Sequence, residues 1–335
     1  MANVMITGAA GFLGTRLARQ LLAAAAAVSV AGEDPRPLSR LTLLDQAPVA
    51  AGVAADDRVT VIGGDLIDLL APAGGPARAA VAAADVVFHL AAAVSAECEA
   101  DFDLGLRANV QATQALLEAA RAAGTAPVVV FASSLAVFGD SPDHPLPPVV
   151  DDQTLPNPQS SYGIQKVICE QLLADYTRKG FLRGRTIRLM TISVRPGRPN
   201  AAMSGFLSGI IREPLAGQRA VCPVPPPTAV ALASPARAID GLLAAASASE
   251  EAWGGRTPVN LPALSVTIAG MVAALERVAG ADVAALIDWV PDPEVSRVIT
   301  SWPARFRSER AARLGLSADA DFDAVIRMHL ADTAA

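Results

Sequence analysis

The chain has 335 residues, a formal net charge of −6 and only 4% aromatic residues. That length suits one large α/β domain with a smaller lobe, and the acidic balance argues against a nucleic-acid groove as the main surface. Cys98, Cys169 and Cys222 are odd in number and far apart, so neither a disulfide framework nor a zinc site is indicated and a reducing cytoplasm is the expected location.

Residues 4–6, Val-Met-Ile, read as a short buried parallel strand. They lead into residues 7–14, TGAAGFLG, a Gly-x-x-Gly-x-x-Gly turn at Gly8, Gly11 and Gly14. Such a turn lets a backbone approach a diphosphate held at the N-terminus of the next helix. A ligand-free Gly-rich turn shares this spacing, but its place after a strand and before a helix favours a nucleotide. The helix is expected to run to about Val28. The apolar run 21–31 superficially resembles a secretory signal; it is too short to span a bilayer and reads as a buried, Ala-rich helix.

Residues 41–45 read as the second strand, ending in Asp45. An acid there hydrogen-bonds the adenosine ribose and repels a 2′-phosphate, so NAD is favoured over NADP. Residues 59–63 form the expected third strand, followed by Asp65, placed to reach the adenine amino group, with the Leu66 backbone beside it. The fourth, 86–89, opens into Leu90-Ala91-Ala92, whose small residues let the chain pass close to a cofactor. His89 reads as a core histidine. A helix over 104–123 carries Asn109, which either ties sheet-edge carbonyls together or is purely structural.

The fifth strand, 128–131, ends near Ser134, at the edge where open α/β sheets bind ligands. A Pro-rich loop, 141–158, containing a solvated His144, precedes a helix over 162–178. Tyr162 and Lys166 are one turn apart on that helix and share a face. A free tyrosine ionises only near pH ~10, and an ammonium one turn away favours the phenolate. A sixth strand, 186–194, leads into residues 195–200, RPGRPN. Beyond it the βα alternation lapses. The expected division is therefore 1–195 for the nucleotide-binding sheet and 196–335 for a smaller lobe closing over its edge, with some elements returning to the sheet.

In that order, TGAAGFLG, Asp45, HLAA, SSLAVFG, YGIQK and RPGRPN resemble the extended short-chain dehydrogenase/reductase family over nearly the whole chain. The resemblance implies an α/β fold, a Rossmann-type doubly wound parallel sheet with a smaller C-terminal α/β substrate lobe. It implies NAD held by Gly8, Gly11, Phe12, Leu13, Gly14, Asp45, Asp65, Leu66, Leu90, Ala91, Ala92, Asn109, Tyr162, Lys166 and Pro196. It implies a Ser134/Tyr162/Lys166 triad, and a homodimer formed through the helices carrying Asn109 and Tyr162. No membrane, nucleic-acid or metal partner is implied.

Residues 95–109, 158–173 and 194–218 are similar to a branch of the family that acts on small sugar acids. That likeness implies oxidation of the 2-hydroxyl to a 2-oxo acid. Met190 departs from it, where proline is expected, as does the 231–233 stretch, where an aromatic is usual. A carboxylate substrate calls for a bidentate cation; Arg198 and Arg212 are the expected anchors, with Ser95 and Asn200 as polyol contacts. Sugar-nucleotide epimerases use the same triad and remain an alternative. A dehydratase would carry an Asp-Glu pair where Leu135-Ala136 follow Ser134. A dinucleotide-sensing regulator would generally lack the Tyr/Lys pair.

Overall fold

The computed structural model describes residues 1–23, 27–197 and 203–334. Among the described residues the main sheet has eight strands, seven of them parallel: β1 (Ala2–Thr7), β2 (Arg36–Asp45), β3 (Val59–Gly63), β4 (Val86–His89), β5 (Val128–Ser134), β6 (Arg183–Leu189) and β7 (Val259–Asn260). Their order is 3-2-1-4-5-6-7. The order reverses between β1 and β4, and that reversal opens a crevice at the C-terminal strand ends.

The two faces of the sheet follow from the two-residue period of the strands. Val4, Ile6, Val86, Phe88, Val128 and Val130 share one core with α1 (Phe12–Leu22). Met5, Val87, Val129 and Phe131 share the opposite core with α2 (Ala112–Ala123) and α3 (Ser161–Arg178). Both faces are covered, so the strands are apolar throughout rather than alternating. On the α1 side, α4 (Pro235–Ser247) returns from the C-terminal region and packs Ile239, Leu242 and Ala245 into the same core. Together with β7, it brings part of the chain beyond residue 195 back onto the main sheet. The rest has its own core, in which Leu207, Ile210, Ile211, Met271, Leu275, Phe322 and Val325 meet.

Three expectations about local structure are corrected. Helix α1 ends at Leu22, not near Val28, and Ala27–Val28 is a short strand antiparallel to the start of β2. The 21–31 run is therefore not one buried helix. Val28 and Val30 are buried at 4% and 1% exposure, and their alternation with Ser29 suits an extended chain better than a helix. The sixth strand breaks after Leu189. Thr191–Ile192 turns away to pair with Ala229–Ala233 in a three-stranded sheet of the lobe. The helix expected over 104–123 is a short turn, Phe102–Gly105, a π-helical turn, Leu106–Gln111, and then α2. Among the described residues no helix is long and apolar enough to cross a membrane, and no cluster of His, Cys, Asp and Glu could hold a metal.

Candidate active site

A cleft of about 340 Å³ lies at the C-terminal ends of β1, β4, β5 and β6, with a wall contributed by the lobe. Its floor is the turn between β1 and α1. Gly8 has φ +72°, and a Cβ there would stand 2.6 Å from the Ala91 nitrogen. At Gly14 a Cβ would stand 2.3 Å from the Gly8 carbonyl oxygen. These two glycines are required by the protein's own packing. Gly11 differs: it is exposed to the cleft, and a Cβ there meets only the Gly8 carbonyl oxygen, at 3.2 Å. Helix α1 has no side-chain cap and no acid in its first turn. The backbone N–H groups of Phe12, Leu13 and Gly14 have no partner among the described residues. Unpaired donors at the positive end of a helix dipole make an anion site, and the space at Gly11 lets a diphosphate reach it.

Asp45, at the end of β2, accepts the Ala10 N–H at 2.8 Å on one carboxylate oxygen and the Ala47 N–H at 2.9 Å on the other. Each oxygen keeps a lone pair for a further donor. Asp65 caps the short helix Leu66–Leu70 by accepting the Ile67 N–H at 2.9 Å. It also takes a hydrogen bond from Gln46 Nε2 at 3.2 Å and lies 3.1 Å from Arg107 Nη2. Leu66 is buried. The residues present thus fit a dinucleotide from diphosphate to adenosine ribose, with Asp65 engaged by its own neighbours.

On the opposite wall stand Ser134, Tyr162 and Lys166. Ser160 caps α3 by accepting the Gly163 N–H at 3.1 Å, which sets the first turn and therefore Tyr162. A Cβ at Gly163 would stand 2.2 Å from the Ala136 carbonyl oxygen, so α3 packs tightly on the segment following Ser134. Lys166 is buried at 4% exposure. Its ammonium donates to the Ala132 carbonyl at 2.9 Å and lies 5.5 Å from the centroid of the Tyr162 ring. Ser134 Oγ accepts the Ala136 N–H at 3.2 Å, leaving its O–H free to donate into the cleft.

Leu90, Ala92 and Ser95 also line the cleft. Ser95 Oγ accepts the Met203 N–H at 3.3 Å, linking the β4 loop to the lobe. Ala91 packs behind, against Gly8. Asn109 is buried behind the loop and ties it to α3, accepting the Ala93 N–H at 2.8 Å and donating to Gln165 Oε1 at 2.7 Å. Pro196 is exposed and stands off the cleft, where Leu189, Met190, Thr191 and Ile192 are found instead. Arg212 does not reach it either: Nη1 donates to the Arg195 carbonyl at 2.9 Å, and Nη2 pairs with Glu213 at 2.5 Å. Arg198 and Asn200 lie outside the described residues.

Arg195, Ser204 and Trp302 line the cleft without having been singled out from the sequence. Arg195 stood within the RPGRPN motif, directly after the strand end, which was its available signal. Trp302 had none, being far away in the chain. It also borders a small void beside Ala231, in the stretch where an aromatic is usual. Among the described residues lining the cleft, Lys166 and Arg195 are cations and none is an acid.

A family model described as NAD dependent epimerase/dehydratase family matches residues 4–229. The chain is 52% identical over 334 residues to a D-erythronate dehydrogenase of Cupriavidus necator, covering 98% of each protein. It is 38% identical over 329 residues to a D-erythronate dehydrogenase of Haemophilus influenzae, again covering 98% of each. Among solved structures, it superposes with a TM-score of 0.86 and 41% identity on a nucleoside-diphosphate-sugar epimerase from Agrobacterium tumefaciens, covering 99% of this chain and 94% of that one.

Proposed function

This chain belongs to the NAD dependent epimerase/dehydratase family, and from that premise we propose that it oxidises the 2-hydroxyl of a small sugar acid of the D-erythronate type to the 2-oxo acid. It is an NAD-dependent oxidoreductase. The observation that carries the finer reading is the cleft itself: a hydroxyl, a phenol and an ammonium face a space lined by cations and by no acid. The full-length likeness to the two D-erythronate dehydrogenases supports the substrate class.

The N-terminus of α1 and Gly11 would hold the diphosphate, Asp45 the ribose hydroxyls, Asp65 and the Leu66 backbone the adenine, and Leu90 and Ala92 the nicotinamide side, with Asn109 fixing their loop from behind. NAD, when bound there, supplies the hydride acceptor. Tyr162 takes the proton of the substrate hydroxyl. Lys166 sets a positive charge beside the phenol ring and is kept there by the Ala132 carbonyl, which stabilises the negative charge that a basic phenol carries. Ser134 has its lone pair engaged by Ala136 and its O–H unspent, so it donates to the reacting oxygen and holds it in line. The hydroxyl proton would go from oxygen to the Tyr162 phenolate and the hydride from the carbon bearing that oxygen to the acceptor that NAD supplies, so the two-electron oxidation to a ketone balances.

A second copy of the chain is the partner we propose. Phe102 and Ile164 are 62% and 48% exposed, and Leu104 and Ile168 add to that apolar surface on the helices bearing Asn109 and Tyr162. Light scattering should return a dimer mass. Three buried free cysteines are in keeping with a reducing cytoplasm.

The likeness to a sugar-nucleotide epimerase keeps that reaction as the competing one. Four- to six-carbon sugar acids incubated with free NAD separate the two. Stoichiometric NADH, lowered by about 10²–10⁴ in Tyr162→Phe, is expected. An absence of NADH with every acid, together with turnover of a nucleotide sugar, would establish the epimerase reading instead. A Tyr162→Phe protein as fast as wild type would reject the base.

A further inference from the structure

We propose that Arg195 is the carboxylate anchor of the substrate, and so the residue that restricts this cleft to acids. The inference rests on the dehydrogenase reading above and deepens it.

Arg195 follows the short strand Thr191–Ile192, where the chain leaves the main sheet for the lobe. Its backbone N–H donates to Ser208 Oγ at 3.0 Å. The side chain is fixed from two sides: Nε donates to the Ile192 carbonyl at 3.1 Å, and Nη2 donates to Ser204 Oγ at 3.3 Å. Of the five N–H donors of a guanidinium, these use two, and both donors of Nη1 are unspent among the described residues. No described carboxylate forms an ion pair with Arg195, whereas its neighbour Arg212 pairs with Glu213.

A half-buried cation without a counter-ion is costly unless something else supplies the charge. Burial pushes the Arg195 guanidinium below its ordinary value; the phenol of Tyr162 counters this and Arg212 adds to it. Arg195 lines the same cleft as Ser134, Tyr162 and Lys166. Arg212 braces the segment by donating to the Arg195 carbonyl. It is a support for the anchor rather than the anchor. A planar guanidinium with an open edge matches a carboxylate two bonds from an oxidised hydroxyl.

The test uses the full-length protein with NAD, D-erythronate and the neutral amide of D-erythronate. In Arg195→Met, KM for the acid should rise about a hundredfold, as for truncating one partner of a desolvated charge pair. KM for the amide, which carries no charge for Arg195 to hold, should rise at least tenfold less than KM for the acid. Arg195→Lys keeps the charge but loses the fork, and should recover about tenfold of the loss. NADH affinity and thermal melting report whether each variant is folded. If Arg195→Met does not fold, Arg195→Lys decides: an acid-to-amide preference equal to wild type overturns the proposal. So does an equal loss on acid and amide confined to kcat, which would make Arg195 a partner of Tyr162 alone. A wild-type protein that makes no NADH from any acid is a failure of the dehydrogenase reading and is seen before any variant is assayed.

Discussion

The Asn109 side chain donates to Gln165 Oε1 across 2.7 Å, one residue before Lys166 in α3. Its own carbonyl accepts the Ala93 N–H at 2.8 Å, so a single amide spans the β4 loop and the helix of Tyr162 and Lys166. Asn109 reaches both because it sits in the π-helical turn Leu106–Gln111, where the wider coil turns a side chain out of α-helical register.

Asn109→Ala would leave the Ala93 N–H and Gln165 Oε1 buried without a partner. At about 1–3 kcal/mol for each orphaned group, we expect a loss of about 2–6 kcal/mol in urea unfolding, with lower activity as the two walls of the cleft drift apart. Gly105→Ala tests the same joint from the other side, since a Cβ there would stand 2.7 Å from Gln165 Nε2. Full stability in both variants would show that the bridge is dispensable.

The glycines of the first turn should separate fold from ligand. Gly8→Ala must adopt φ +72° and drive its Cβ into the Ala91 backbone, so it should lose about 1–3 kcal/mol or more. Gly11→Ala is expected to melt nearer to wild type, because Gly11 has φ −64° and its Cβ would meet only the Gly8 carbonyl oxygen, a tight 3.2 Å contact, while NAD affinity drops. Differential scanning fluorimetry with and without NAD measures both quantities; equal melting losses in the two variants would contradict the assignment.

Glu170 and Arg188 form a buried pair at 2.7 Å, and Ser133 donates to the same carboxylate at 2.6 Å. The contact clamps α3 to β5 and β6 immediately beside Ser134 and Leu189. Removing one partner of such a pair costs about 3–5 kcal/mol, so Glu170→Leu should unfold far more easily than wild type. Adding Arg188→Met to it should restore most of the stability, because the remaining charge is gone. A double variant as unstable as the single would refute this account.

His89 is held neutral by burial, aided by the nearby Lys166 charge, with its pKa lowered from 6.5 to about 3. Thr7 and Thr113 satisfy its two ring nitrogens at 2.7 and 2.9 Å. The unfolded chain protonates the imidazole below its ordinary value while the folded chain does not. Stability is therefore complete above pH 6.5 and falls as the pH drops toward 3, by up to about 1.4 kcal/mol per pH unit. In His89→Gln this component of the slope should vanish from urea titrations taken across that range.

Much of the site was legible because its signals are local. Gly8, Gly11 and Gly14 carry their meaning in three-residue spacing, and Tyr162 and Lys166 in one helical turn. The end of α1 was misread because a run of alanines favours a helix locally, whereas Ala27 and Val28 are held extended by pairing with β2, and Val30 is buried beyond them. Arg212 was preferred to Arg195 for a similar reason: an arginine's sequence neighbours do not show whether its guanidinium meets a carboxylate. Glu213 takes Arg212, whereas Arg195 meets the Ile192 carbonyl and Ser204 but no described carboxylate.

By itself, the amino-acid sequence determined the strand-turn-helix with its Gly-x-x-Gly-x-x-Gly spacing, the buried strands β1 to β5 along the chain, and the hydroxyl, phenol and ammonium of the candidate triad. Each depends on backbone geometry over a few residues or on a buried apolar run, which sequence periodicity records directly. Only the tertiary structure decided what faces that triad: Arg195 from the chain leaving β6, Ser204 from the start of the lobe, and Trp302 from near its end. Those residues meet because separate cores pack together, and such packing energies depend on partners far away in the chain.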